Sequence, residues 1–196
     1  MSTRSRAVLF SAVAAAAALT LSACGSGGIS GGGGNTNFIT GNNGIDTAAK
    51  GSRDAVPDLS GKTLEGKTLD IADYKGEVVV VNVWGSWCGP CRAEGKYFAK
   101  VSKEYAGRGV RFLGINTRDG STTSALAFEK EQGITYPSLY DPTGKLMLRF
   151  KKGTLNPQLI PSTLVIDRDG KIAARALQAL SEENLLKMIK PVLAEK

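Results

Sequence analysis

Seven consecutive residues, Val78-Val79-Val80-Val81-Asn82-Val83-Trp84, form an almost unbroken apolar run with a single amide inside it. A strand with one wetted face alternates apolar and polar side chains; a continuous run belongs to a strand covered on both faces. Such strands lie in the middle of α/β sheets, so this one feature narrows the fold class. The residues after it agree. Past Gly89-Pro90, Tyr97, Val101 and Tyr105 recur every four residues, Phe98 widens the stripe and Gly107 closes it, which predicts a helix. A second strand over 110–115 and a second helix over 122–132 complete a βαβα unit, which implies a parallel pairing.

The pattern then breaks around Pro137, Pro142, Gly144 and Pro157, with Asp141-Pro142-Thr143-Gly144 a turn by composition and a short helix expected over 145–150. A hairpin follows, 163–167 and 171–177, turned by Asp169-Gly170. Ser181, ahead of Glu182 and Glu183, caps a last helix with Leu185, Leu186 and Ile189 on its apolar side, and Pro191 is expected to kink or end it. Residues 54–196 suffice for one core and not for two.

The chain contains no histidine, which excludes Ser-His-Asp hydrolysis, Cys-His proteolysis, HExxH zinc chemistry and Cys₂His₂ fingers. Its three cysteines, at 24, 88 and 91, are too few for a disulfide scaffold. The first belongs to an address. Arg4 and Arg6 precede an uncharged run from Ala7 that ends in Leu21-Ser22-Ala23-Cys24, the layout of a secretory signal over residues 1–23. The Leu-Ser-Ala-Cys tetrad resembles a bacterial lipobox, which implies that Cys24 becomes a lipid-bearing amino terminus. Residues 25–53 hold ten of the 24 glycines, with Phe38, Ile39 and Ile45 as notable hydrophobes, so 24–53 reads as an anchor cysteine and flexible tether. Loss of residues 1–23 lowers the net charge from +7 to +5, and no basic tract exceeds Lys151-Lys152; nucleic acid is a poor partner for such a chain.

The chemistry is placed at Trp87-Cys88-Gly89-Pro90-Cys91, between the buried strand and a helix start. Two intervening residues on a first helical turn bring two sulfurs within disulfide reach. Cys88 falls where unpaired backbone N–H groups and the positive end of the helix dipole favour a thiolate, so it is the expected nucleophile. Cys91, one turn inside, is the expected resolving thiol. A bare CxxC can also be half of a zinc site, but with no histidine and no third cysteine nearby, four ligands would need carboxylates or another chain.

The Trp-Cys-Gly-Pro-Cys motif resembles that of thioredoxins. The wider sequence is more similar to the extracytoplasmic TlpA/ResA-like thiol-disulfide oxidoreductases. The likeness covers residues 54–196 and is carried by Val80-Val81-Asn82-Val83-Trp84-Gly85-Ser86-Trp87, Cys91-Arg92-Ala93-Glu94, Ile160-Pro161-Ser162-Thr163-Leu164 and the Asp167-Arg168-Asp169-Gly170 turn. It implies an α/β, thioredoxin-like fold: a mixed central sheet, helices on both faces and a TlpA-type insertion between the second strand and Pro161. It also implies that Pro161 is a cis-proline facing the disulfide, leaving the backbone of Ile160 free to pair with substrate. Trp87, Gly89 and Pro90 complete the expected substrate-binding surface, Trp87 shielding the thiol from water. Asn82 stands where thioredoxins carry a buried aspartate, and the family's glutamate linked to thiol protonation falls on Glu94. The alternative for Glu94 is an acid stabilised only by the helix dipole. Many relatives have proline two residues after that glutamate, with a helix kink; here Lys96 follows Gly95, a departure from that pattern. Trp84 reads as core, and Tyr136 and Tyr140 as core or docking groove.

The expected function is a membrane-anchored extracytoplasmic thiol-disulfide oxidoreductase acting on cysteine pairs of exported proteins, apocytochrome c among them, with a membrane electron donor. It needs no metal or organic cofactor, the Cys88–Cys91 pair being the redox group. The Gly-Pro dipeptide is that of reducing thioredoxins, about −270 mV against about −120 mV for strong oxidants, which favours reductase. Alternatives are a thiol peroxidase of the redoxin group, although the peroxidatic Thr-x-x-Cys pattern is missing, and a non-catalytic tethered binding module.

Overall fold

The computed structural model describes residues 36–195, so the expected signal segment and Cys24 lie outside the described residues. In chain order the elements are β1 (Ile39–Thr40), β2 (Ile45–Thr47), β3 (Ser60–Lys62), β4 (Thr68–Asp70), β5 (Val78–Trp84), α1 (Gly89–Tyr105), β6 (Val110–Thr117), α2 (Thr122–Gln132), β7 (Ser138–Asp141), β8 (Ser162–Ile166), β9 (Ile172–Ala176) and α3 (Glu182–Ala194). The sheet order is β1-β2-β9-β8-β5-β6-β7, with β3 and β4 forming a separate hairpin. β5 is central, parallel to β6 and antiparallel to β8, and every one of its residues is buried.

Alternate residues of β5 feed two cores. Val78, Val80 and Trp84 pack with Phe98 and Val101 of α1, Phe128 of α2, and Leu185 and Ile189 of α3. Val79, Val81 and Val83 face Leu59, Ile71, Met147 and Phe150. All three α-helices therefore cover one face, whereas helices on both faces were expected. The crossovers β5-α1-β6 and β6-α2-β7 run in the same direction across the sheet, and the right-handed rule then puts both helices on the same side. Short 3₁₀ turns, Ile71–Tyr74 and Met147–Arg149, contribute to the other face. The latter stands where a helix over 145–150 was expected.

Residues 36–53, assigned to the tether by composition, are packed on the folded domain. Within 36–53, β2 adds to the edge of β9 in an antiparallel register, Asp46 opposite Arg175. Phe38, Ile45 and Ala48 are buried. Arg175, also buried, donates to Asp46 (2.8 Å), and Arg53 bonds both Asp167 (2.8 Å) and Glu195 (2.7 Å). A Gly-rich count could not show these contacts, because a few apolar residues and three ion pairs suffice on an edge that the rest of the domain provides. Pro191 does not end the last helix: α3 runs on to Ala194.

Candidate active site

β5 delivers the chain to the carboxyl edge of the sheet, and the turn Gly85-Ser86-Trp87 hands it to α1. Asp119, just past the end of β6, holds this turn. Its carboxylate accepts from Ser86 N (2.8 Å), Ser86 Oγ (2.5 Å) and Asn116 Nδ2 (2.5 Å). Gly85 must be small, since a Cβ there would lie 2.7 Å from Trp87 Nε1 and 3.1 Å from the Thr117 carbonyl oxygen.

Cys88 is the N-cap of α1, with extended backbone (φ −87°, ψ 110°), and Pro90 sits in the first turn, where its missing N–H costs nothing. Cys88 and Cys91 form a disulfide with Cα atoms 5.3 Å apart. The Cys91 N–H donates to Cys88 Sγ at 3.2 Å, so an unpaired helix donor is aimed at that sulfur. Both cysteines are buried, Cys91 more completely, while Gly89, Pro90 and Trp87 are exposed around them. Across the disulfide, the Ile160–Pro161 peptide is cis and the Ile160 carbonyl oxygen lies 3.8 Å from Cys88 Sγ. Of the two segments, 87–91 and 160–161, Cys88 and Ile160 are the residues brought together.

Glu94 lies one turn beyond Cys91 and is 2% exposed. Its Oε1 accepts from Asn82 Nδ2 (2.9 Å) and its Oε2 from the Leu180 backbone N–H (2.8 Å). Burial pushes its carboxyl up to about 7, against the pull of those two hydrogen bonds. The buried face of α1 is thus Cys91, Glu94, Phe98, Val101 and Tyr105, with Tyr97 only half-buried. α1 is continuous through Gly95, which packs against Gln132 of α2.

Trp84 is core, stacked on Phe128 at 4.6 Å, its Nε1 donating to Ser138 Oγ (3.3 Å). Ser138 Oγ donates in turn to Glu129 (2.6 Å), whose carboxyl burial also pushes up to about 7. Tyr136 is buried in the same core and Tyr140 Oη bonds the Asp119 carbonyl oxygen (3.1 Å). Asp119 and Arg118 were not singled out from the sequence, where they fall between the strand expected over 110–115 and the helix expected over 122–132.

A disulfide at a helix amino terminus, faced by a cis-proline, is a thiol-exchange geometry, and residues 51–189 match the Redoxin family. The chain belongs to the Redoxin family. It is 30% identical over 139 residues to thiol-disulfide oxidoreductase ResA of Bacillus thuringiensis strain Al Hakam, covering 69% of this chain and 77% of that one. ResA of Bacillus subtilis strain 168 is 28% identical over 139 residues, 69% and 74% of the two chains. Among solved structures, a DsbF homologue from Corynebacterium diphtheriae is 35% identical with a TM-score of 0.71, over 81% of this chain and 99% of that one. A secreted thiol-disulfide isomerase from Corynebacterium glutamicum is 31% identical with a TM-score of 0.73, over 83% and 100%. This Redoxin-family chain is a thioredoxin-like, ResA-like thiol-disulfide oxidoreductase.

Proposed function

We propose that the protein is a lipid-anchored, extracytoplasmic reductase of disulfides in exported proteins. The observation that carries the chemistry is the Cys91 N–H directed at Cys88 Sγ, with the Ile160 carbonyl on the other side of the same sulfur. In the reduced protein that donor favours Cys88 as thiolate. The thiolate attacks one sulfur of a client disulfide, forming a mixed disulfide and releasing one client thiolate. Cys91, its proton passed to Glu94, then attacks Cys88 Sγ. The mixed disulfide breaks, the second client thiolate leaves and Cys88–Cys91 is closed. Two electrons reach the client, and a dithiol donor at the membrane returns them. Trp87, Gly89, Pro90 and the Ile160–Pro161 backbone form the surface on which the client strand lies, and no metal or organic cofactor takes part.

The extracytoplasmic location is supported by the signal-like residues 1–23 and by likeness to a secreted isomerase. Anchoring rests on the Leu21-Ser22-Ala23-Cys24 tetrad. Client proteins with cysteine pairs follow from the exchange chemistry, and apocytochrome c is one such candidate.

A glutathione titration should give a potential near that of reducing thioredoxins, about −270 mV; a value near −120 mV would make the protein an oxidant. Cys91→Ser should trap clients as mixed disulfides identifiable by mass spectrometry. Labelled palmitate should enter the wild-type protein in cells and not the Cys24→Ala variant.

A further inference from the structure

Past the end of β6 the chain passes through Arg118 with φ of 57°, the left-handed region that side chains other than glycine, asparagine and aspartate seldom occupy. This turn sends two neighbours in opposite directions. Asp119 points inward and spends its carboxylate on Ser86 and Asn116. Arg118 is exposed, and its guanidinium carbon lies 4.8 Å from the centroid of the Trp87 ring. Trp87 is itself 53% exposed and directly precedes Cys88.

Among the described residues Arg118 forms no ion pair with a carboxylate. Arg92, the other arginine close to the motif, differs: it pairs with Glu131 and also donates to the Ser86 carbonyl oxygen. A guanidinium lying on an indole face keeps its N–H edge free, and the stacking limits the conformations it must give up on binding. A planar edge of that kind matches a carboxylate in two parallel hydrogen bonds. The structure therefore sets an uncompensated, pre-oriented cation on the apolar plate beside the attacking sulfur.

We propose that Arg118, stacked on Trp87, is a specificity site that selects clients carrying an acidic side chain within a few residues of the cysteine attacked by Cys88. This rests on the thiol-exchange reading above and names the chemistry of its substrates. The cation reads charge, Trp87 offers apolar contact, and the Ile160–Pro161 segment takes the backbone.

The test uses three disulfide-bridged peptides that differ only in having Glu, Gln or Lys beside one cysteine, each reduced by the full-length protein in its dithiol form. For the wild type, kcat/KM should favour the Glu peptide over the Lys peptide by about 5-fold at low salt, the size of a partly exposed charge contact. That ratio should shrink toward one as salt rises to about 0.5 M. Arg118→Asn and Arg118→Asp suit the left-handed backbone; the first should abolish the ratio and the second invert it, while Arg118→Lys should keep its direction. The ratio cancels any effect of position 118 on Cys88 itself, since every peptide meets the same thiolate. A wild-type ratio of one, or a ratio unchanged by Arg118→Asn, overturns the inference and leaves the oxidoreductase reading intact. Failure of the wild type to reduce any of the three peptides overturns that reading, and this one with it.

Discussion

Asn82 Nδ2 donates to Glu94 Oε1 across 2.9 Å, joining the central strand to the second turn of the cysteine helix. In this pair the strand supplies a neutral amide, and the acid comes from α1. Because an amide can only donate to or accept from its partner, the titrating group of this buried pair is Glu94. Its other oxygen is held by the Leu180 N–H, which ties the position of the carboxyl to the loop before α3.

Glu94 should make the stability of the oxidised protein fall with rising pH. Its carboxyl sits at about 7 in the fold and near the ordinary carboxylate value when unfolded, so the folded state binds more protons between those limits. The stabilisation is complete below about pH 4.5 and is lost as pH rises through 7. Urea unfolding at pH 5 and pH 8 should differ by on the order of 3 kcal/mol from this group, with a further contribution of the same sign from Glu129. Glu94→Gln should remove the first part and leave the second. An identical pH profile in the variant contradicts the burial argument. The same variant should also alter the pH dependence of thiol exchange, since a glutamine cannot accept the Cys91 proton.

In the reduced Cys91→Ser protein, iodoacetamide at pH 6 should modify Cys88 at least about tenfold faster than an unstructured peptide thiol. About two pKa units of thiolate stabilisation supply that factor while the thiolate is the minor species, after the nucleophilicity lost with the lower pKa. Equal rates would mean that the helix donor seen at 3.2 Å does not hold the anion.

Gly85→Ala should displace Trp87 and slow exchange. The new Cβ meets the indole at 2.7 Å and the Thr117 carbonyl oxygen at 3.1 Å, so the side chain must swing while the backbone resists. Overpacking of this kind costs about 1–3 kcal/mol. Tryptophan fluorescence should shift and kcat/KM for protein disulfides should drop, whereas unchanged emission and turnover would show that the turn absorbs the methyl.

A chain begun at Asp54 should be markedly less stable than one begun at Thr36. Deletion removes Asp46 from the buried Arg175 and Arg53 from Asp167, and bares the edge of β9. Breaking one buried pair by removal of a partner costs about 3–5 kcal/mol. Denaturant midpoints measured side by side check this; coincident midpoints would restore residues 36–53 to the status of tether.

The residue types alone settled β5, whose unbroken apolar run has no use outside the middle of a sheet, and α1, whose start is written in Gly89-Pro90 and whose end lies just before Gly107. The Asp169-Gly170 turn and the Ser181 cap likewise act through their own neighbours. The pairing of Cys88 with Cys91 needs only one helical turn, so it too was legible.

What stayed hidden depends on partners distant in the chain. Ser138–Asp141 is a strand because β6 offers it an edge, and Ile39–Thr40 and Ile45–Thr47 order because they extend the sheet beyond β9. Asp119 acquires its task only when folding brings Ser86 to it, and Arg118 becomes a stacked cation only when Trp87 arrives from the neighbouring strand end. Local propensities act over one turn or one pleat and are written in sequence. The placement of one charge beside another, thirty or a hundred residues away, is decided by the packing of the sheet.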